Sequence, residues 1–224
     1  MKKALIVATI VAGAYGASAQ GLVNFNNSAS ATTKISVNSA VGGAATGLTA
    51  AVAGSYYFAL FESTTATTVS GSSAAVLPNS TSAGSYAFSD SNWTYVTTIS
   101  NLATAGRTAG SASTVINGVG GGSTAQFVVI GWSANIGTTL SSLQSFLAAP
   151  ALIGGSYGLA GESAVTGALK LGDGALITSP AIFGLAPSTP GFVLGQVNPV
   201  PEPSSIALAA LGGLSLLGLR RKKA

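Results

Sequence analysis

Four carboxylates stand in the interior of this chain: Glu62, Asp90, Glu162 and Asp173. The chain has no histidine and no cysteine, so the commonest catalytic side chains are missing. A Ser-His-Asp triad, an imidazole base, a thiolate nucleophile and a His- or Cys-ligated zinc are excluded. A pair of acids acting on a glycosidic bond would have to sit roughly 5–9.5 Å apart. The sequence leaves open whether any two of the four meet in space. Asp173 precedes Gly174 and is claimed by a turn. The expectation is a chain that is not an enzyme and uses no cofactor.

Other patterns weigh toward structure in the same way. Asp90-Ser91-Asn92 opens like a calcium loop, but Tyr95 and Asn101 stand where that loop needs its glycine and its glutamate. A surface loop is expected there, with a weak Ca²⁺ site at Asp90 left open. The stretch from Gly118 to Thr124 has the glycines of a phosphate loop without its lysine, and reads as a flexible hairpin loop. Asn26, Asn79 and Asn92 each begin an Asn-x-Ser/Thr triplet, a pattern that arises often by chance in a Ser/Thr-rich chain. Trp93, Tyr95 and Trp132 could form a platform for sugar rings. Because the chain has few other large side chains, they are expected in the core. Thr64-Thr65-Ala66-Thr67-Thr68 is a single run without a repeat, so it does not build a regular ice-binding face.

The elements that must position these residues read as mainly β. Runs at Leu22–Phe25, Lys34–Val37, Tyr56–Phe61, Trp93–Ile99, Gln126–Trp132 and Phe192–Val197 carry the β-branched and aromatic residues of strands. Alternation predicts Trp93, Tyr95, Thr97 and Ile99 on one face of their strand. The unbroken apolar run Phe127–Ile130 predicts a central strand covered on both faces. Asp173-Gly174 predicts a hairpin joining Ala168–Leu171 to Ala175–Thr178. One short helix is expected, capped by Thr139, with Leu140, Leu143, Phe146 and Leu147 on one face and Pro150 as its stop. Short strands, Gly-rich turns and one helix together predict an antiparallel β-sandwich or jelly-roll-like domain. The stretches 42–54 and 63–84 read as long surface loops.

The nine Lys and Arg place the charge at the ends rather than on this domain. Lys2 and Lys3 lie at the start and Arg220, Arg221, Lys222 and Lys223 at the finish, while three cations face four anions between them, a net charge of −1. No nucleic-acid surface is expected. At the N-terminus, Lys2-Lys3, an apolar run from Ala4 and the small residues Ala17 and Ala19 form a signal helix with a signal-peptidase site, leaving Gln20 first in the mature chain. At the C-terminus, an apolar segment of about 204–219 would be a helix of about 24 Å, short of the roughly 30 Å hydrocarbon core. Arg220 to Lys223 can snorkel to one headgroup layer and stay cytoplasmic, making a marginal transmembrane anchor. Lys2 and Lys3 make the same topological demand, so both ends place residues 20–198 outside the cytoplasm. Pro201 and Pro203 hold Glu202 in extended chain just beyond that helix.

Val200-Pro201-Glu202-Pro203, the short apolar segment and the basic terminus Arg220-Arg221-Lys222-Lys223 resemble the PEP-CTERM protein-sorting signal, also labelled an ice-binding-protein C-terminal domain. The resemblance covers about 25 residues. It implies recognition by an exosortase, removal of the tail, and delivery to the cell surface or extracellular matrix. The organisation is therefore a signal peptide at 1–19, a β-rich passenger at 20–198, and a sorting and anchor segment at 199–224. Signal peptidase and exosortase are the expected partners, with transient residence in the inner membrane and exopolysaccharide or other matrix components beyond it. The passenger is expected to be structural or adhesive; the alternative is a secreted carbohydrate-binding or carbohydrate-active protein.

Overall fold

The computed structural model describes residues 20–27, 33–38, 46–70, 86–150 and 152–197. Its strands are β1 (Gln20–Val23), β2 (Ser36–Asn38), β3 (Gly47–Leu48), β4 (Tyr56–Ser63), β5 (Thr94–Ser100), β6 (Thr114–Gly120), β7 (Thr124–Ser133), β8 (Gly158–Glu162), β9 (Leu169–Lys170) and β10 (Val193–Val197). Among the described residues, the helix α1 (Leu140–Ala148) and a 3-10 turn at Ala87–Ser89 complete them. The protein is mainly β, as the sequence leads one to expect.

A large sheet runs in the order β3-β2-β10-β8-β7-β4-β5, with β9 added to the start of β7, and β1 pairs with β6 in a second, two-stranded sheet. Within the large sheet β10 and β2 run parallel, which corrects the expectation of purely antiparallel strands. These two strands lie at opposite ends of the described chain, so no tight turn joins them and nothing forces the antiparallel sense.

The centre is β7 against β4, in register from Tyr56 opposite Ser133 to Ser63 opposite Gln126. Both faces of β7 are buried, as its unbroken apolar run predicts. Phe58, Leu60, Phe127, Val129 and Leu194 point to one face and pack with Val23 of β1 and Ile116 of β6. Ala59, Phe61, Val128, Ile130 and Trp132 point to the other and pack with Leu143 and Leu147 of α1. The second sheet thus covers the first face, and the helix covers the other.

Helix α1 forms as read. The Thr139 hydroxyl accepts from the Ser142 N–H, and Leu143 and Leu147 are its buried residues. Just before it, Gly137 has φ +134°, and its carbonyl accepts from the Trp132 indole at 2.8 Å. A Cβ there would lie 2.5 Å from Ser142 Cβ, so both conformation and space require glycine.

Three local expectations are corrected. In β5, Leu60 pairs with Thr97 but Phe61 pairs with Tyr95, leaving Val96 as a bulge. Tyr95 therefore shares Phe61's face, while Thr97 and Ile99 lie opposite Leu60 and Phe58 on the other. At Asp173-Gly174 no hairpin forms. The Asp173 carboxylate accepts from the N–H groups of Ala175, Leu176 and Ile177, folding 175–178 into a loop, and Leu169–Lys170 pairs with β7 instead. Finally, Gly118 and Gly120 belong to β6, not to a free loop; the following turn carries the chain from the second sheet to β7.

Candidate functional site

The four interior carboxylates do not converge. Glu62 pairs with Phe127, and alternation along β4 puts it on the face of Leu60. Glu162 pairs with Ile130, on the opposite face of the same sheet. A sheet one backbone thick separates them, so their side chains cannot share a substrate. Asp173 is committed to its loop, and its three N–H donors hold its carboxyl below the usual carboxylate range.

Glu162 and Asp90 lie on the same side and interact electrostatically. Glu162 closes β8 and is 4% exposed. Its Oε2 accepts from the Ala87 N–H at 2.7 Å, and burial pushes its carboxyl up to about 8, with the negative charge of Asp90 adding to the rise. Asp90 goes the other way. Its Oδ2 accepts from the Ser70 N–H at 2.8 Å and its Oδ1 from Asn92 N and Nδ2 at 2.9 and 2.8 Å, and these bonds hold its carboxyl below the usual range. Tyr86 packs beside them, its ring stacked on Phe88 at 5.4 Å. Its hydroxyl is buried without a partner among the described residues, and burial and Glu162 push its pKa well up.

Chemically this is one neutral acid beside one carboxylate. Asp90 accepts three N–H bonds through its two oxygens, and Glu162 is sealed within the sheet. Glu162 ties Ala87 to the end of β8, and Asp90 ties Ser70 to the segment ahead of β5. Glu62 is also buried, its Oε2 without a partner among the described residues, and desolvation raises its pKa.

The aromatic trio divides. Trp93 and Trp132 are in the core, donating to Thr68 O and Gly137 O respectively, as expected. Tyr95 is 47% exposed, edge-on to Phe61, on the last strand of the sheet order. Of the Asn-x-Ser/Thr triplets, Asn92 donates to Asp90, Asn26 is half-buried, and Asn79 lies outside the described residues.

The residues expected to direct export and sorting flank this domain in sequence. Gln20 is the first residue of β1, opposite Gly120. Val197 closes β10 opposite Gly158. Ala17, Ala19, Val200 to Pro203, Arg220 to Lys223 and the segment of about 204–219 lie outside the described residues. Among the described residues no helix is long and apolar enough to cross a membrane.

Residues 199–222 match the family model of the PEP-CTERM protein-sorting motif. The chain carries a PEP-CTERM tail. That motif marks export and exosortase-dependent sorting to the cell surface or extracellular space, and it implies an exosortase as the processing partner. Comparison with curated proteins and with solved structures gives no match. The PEP-CTERM match begins two residues after β10 ends, so the address follows directly on the last strand of the folded domain.

Proposed function

We propose that the chain is a non-catalytic structural or adhesive protein of the cell surface or extracellular matrix, cut at both ends on its way there. The observation that carries this reading is the sorting match at 199–222, set immediately behind β10. Removal of the tail near Glu202 would leave β10 whole, and cleavage before Gln20 would leave β1 whole. The segment of about 204–219 serves as the temporary anchor, with Arg220, Arg221, Lys222 and Lys223 on its cytoplasmic side. The two-sheet arrangement is read as a sandwich with jelly-roll affinities, held without disulfides by its own core.

The non-catalytic part of the reading is supported by where the acids lie. Glu62 and Glu162 point to opposite faces, and Asp90 and Asp173 each hold three backbone or side-chain N–H groups. A carbohydrate-active enzyme therefore has less support than a binding protein. The test is cell fractionation of the wild type against a Pro201→Ala, Glu202→Ala, Pro203→Ala variant. Release of the wild type and retention of the variant in the inner membrane are expected; equal release of both would overturn the sorting reading.

A further inference from the structure

At the end of the large sheet where β7 runs into α1, two depressions of about 370 and about 580 Å³ adjoin and share one residue, Asn135. Each volume lies in the range of small-molecule sites. The first is walled by Tyr56 and Tyr157, the second by Phe146 and Ser145 of α1. Among the described residues, no charged one lines either.

Asn135 is fixed between them. Its Oδ1 accepts from Ser133 Oγ at 2.6 Å and its Nδ2 donates to the Tyr157 carbonyl at 3.1 Å. An amide has two donors and two acceptor lone pairs, so one N–H and one lone pair stay available on an exposed, preorientated group. Tyr157 is 40% exposed beside it, its ring in no ring–ring contact among the described residues. A fixed amide that can give and take a hydrogen bond, set next to an open aromatic face, matches a ligand with adjacent hydroxyls and an apolar ring face.

The uncharged lining among the described residues selects further. An acidic polysaccharide or a phosphate ester would find no cation there, and an apolar chain would leave the serine hydroxyls and the Asn135 amide without partners. We propose that this groove binds an uncharged oligosaccharide, with Tyr157 stacking on a sugar ring and Asn135 bonding its hydroxyls. The inference stands apart from the sorting reading, since binding can fail while sorting holds.

The test is calorimetric titration of the full chain, held in a polyoxyethylene detergent that has no sugar headgroup. The probes are uncharged hexasaccharides of glucose, mannose, galactose and N-acetylglucosamine, up to about 10 mM, with oligogalacturonate as the charged control. Binding of at least one uncharged probe is expected, weakened about tenfold or more by Tyr157→Ala and largely kept by Tyr157→Phe. Ser145→Trp, which fills the adjoining depression from an exposed helix position, should also weaken it, and Tyr95→Ala should not. No binding of any uncharged probe, equal binding by Tyr157→Ala, an equal loss in Tyr95→Ala, or tighter binding of oligogalacturonate would overturn the proposal.

Discussion

The Ala87 N–H donates to Oε2 of Glu162 across 2.7 Å, joining a 3-10 turn to the last residue of a central strand. The carboxyl that accepts this bond is buried and carries its proton at neutral pH, because burial outweighs the stabilisation the N–H gives to the charged form. Asp90 and Tyr86 are the titratable groups that act on it or respond to it.

A pH dependence follows. Glu162 rises from an unfolded value of 4.5 to about 8 in the folded protein. Between those values the folded state holds a proton that the unfolded state has lost, so stability falls as pH rises and levels off above 8. The wild type should melt at a lower temperature at pH 8 than at pH 5.5. Glu162→Gln keeps an acceptor for Ala87 without the charge and should flatten that slope. Calorimetric melting across the two pH values checks it, and parallel slopes in both proteins would contradict it.

Asp90 acts in a different window. Its carboxyl is held below the ordinary value, so its contribution is present above about pH 4 and is lost as pH falls through the folded value. Asp90→Ala removes the acceptor of Ser70 N, Asn92 N and Asn92 Nδ2 and should cost about 1–3 kcal/mol. Urea unfolding at pH 7 and pH 3 should show the difference shrinking at the lower pH.

The link between Trp132 and α1 should be sensitive to a single methyl group. Gly137→Ala would force a side chain into a left-handed conformation and against Ser142, misplacing both the indole's acceptor and the helix start. Destabilisation of about 2 kcal/mol or more is expected, with a change in near-ultraviolet circular dichroism from Trp132.

Trp93 and Tyr95 should behave unlike each other although they are two residues apart. Trp93→Ala empties a buried site and should cost about 3–5 kcal/mol. Tyr95→Ala loses an edge contact with Phe61 and a bond to Thr98 at the rim, and should cost under about 1.5 kcal/mol. Denaturant midpoints for the two variants decide the matter; equal losses would contradict the buried place of Trp93 and the exposed one of Tyr95.

Six strands, β1, β2, β4, β5, β7 and β10, were legible because aromatic and β-branched runs report burial directly, and Phe127–Ile130 even reported burial on both faces, whereas β6 at Thr114–Gly120 was missed. Helix α1 was readable from Thr139 and its apolar spacing. The bulge at Val96 was not, because an extra strand residue leaves no compositional mark and merely reverses the alternation after it. Strand β8 was hidden by its composition, Gly158-Leu159-Ala160-Gly161-Glu162. Its glycines are required by neighbours: a Cβ on Gly161 would meet the Val193 carbonyl at 2.4 Å. Asp173-Gly174 misled because three N–H groups inside the loop compete for the aspartate that a two-residue turn would have left free. The separation of Glu62 from Glu162 needed strand register, and the pairing of Asn135 with the Tyr157 carbonyl needed a contact between residues 22 apart; neither is a local property. The sorting tail was the reverse case, a linear signal read as a linear sequence.

The central claim is processing at both ends of an intact domain. Intact mass of the protein recovered from the native cell surface tests it most directly. A form beginning at Gln20 and ending near Glu202 is expected, with the tail kept when Pro201, Glu202 and Pro203 are replaced by alanine. A surface form that still ends at Ala224 with the native motif in place would contradict it.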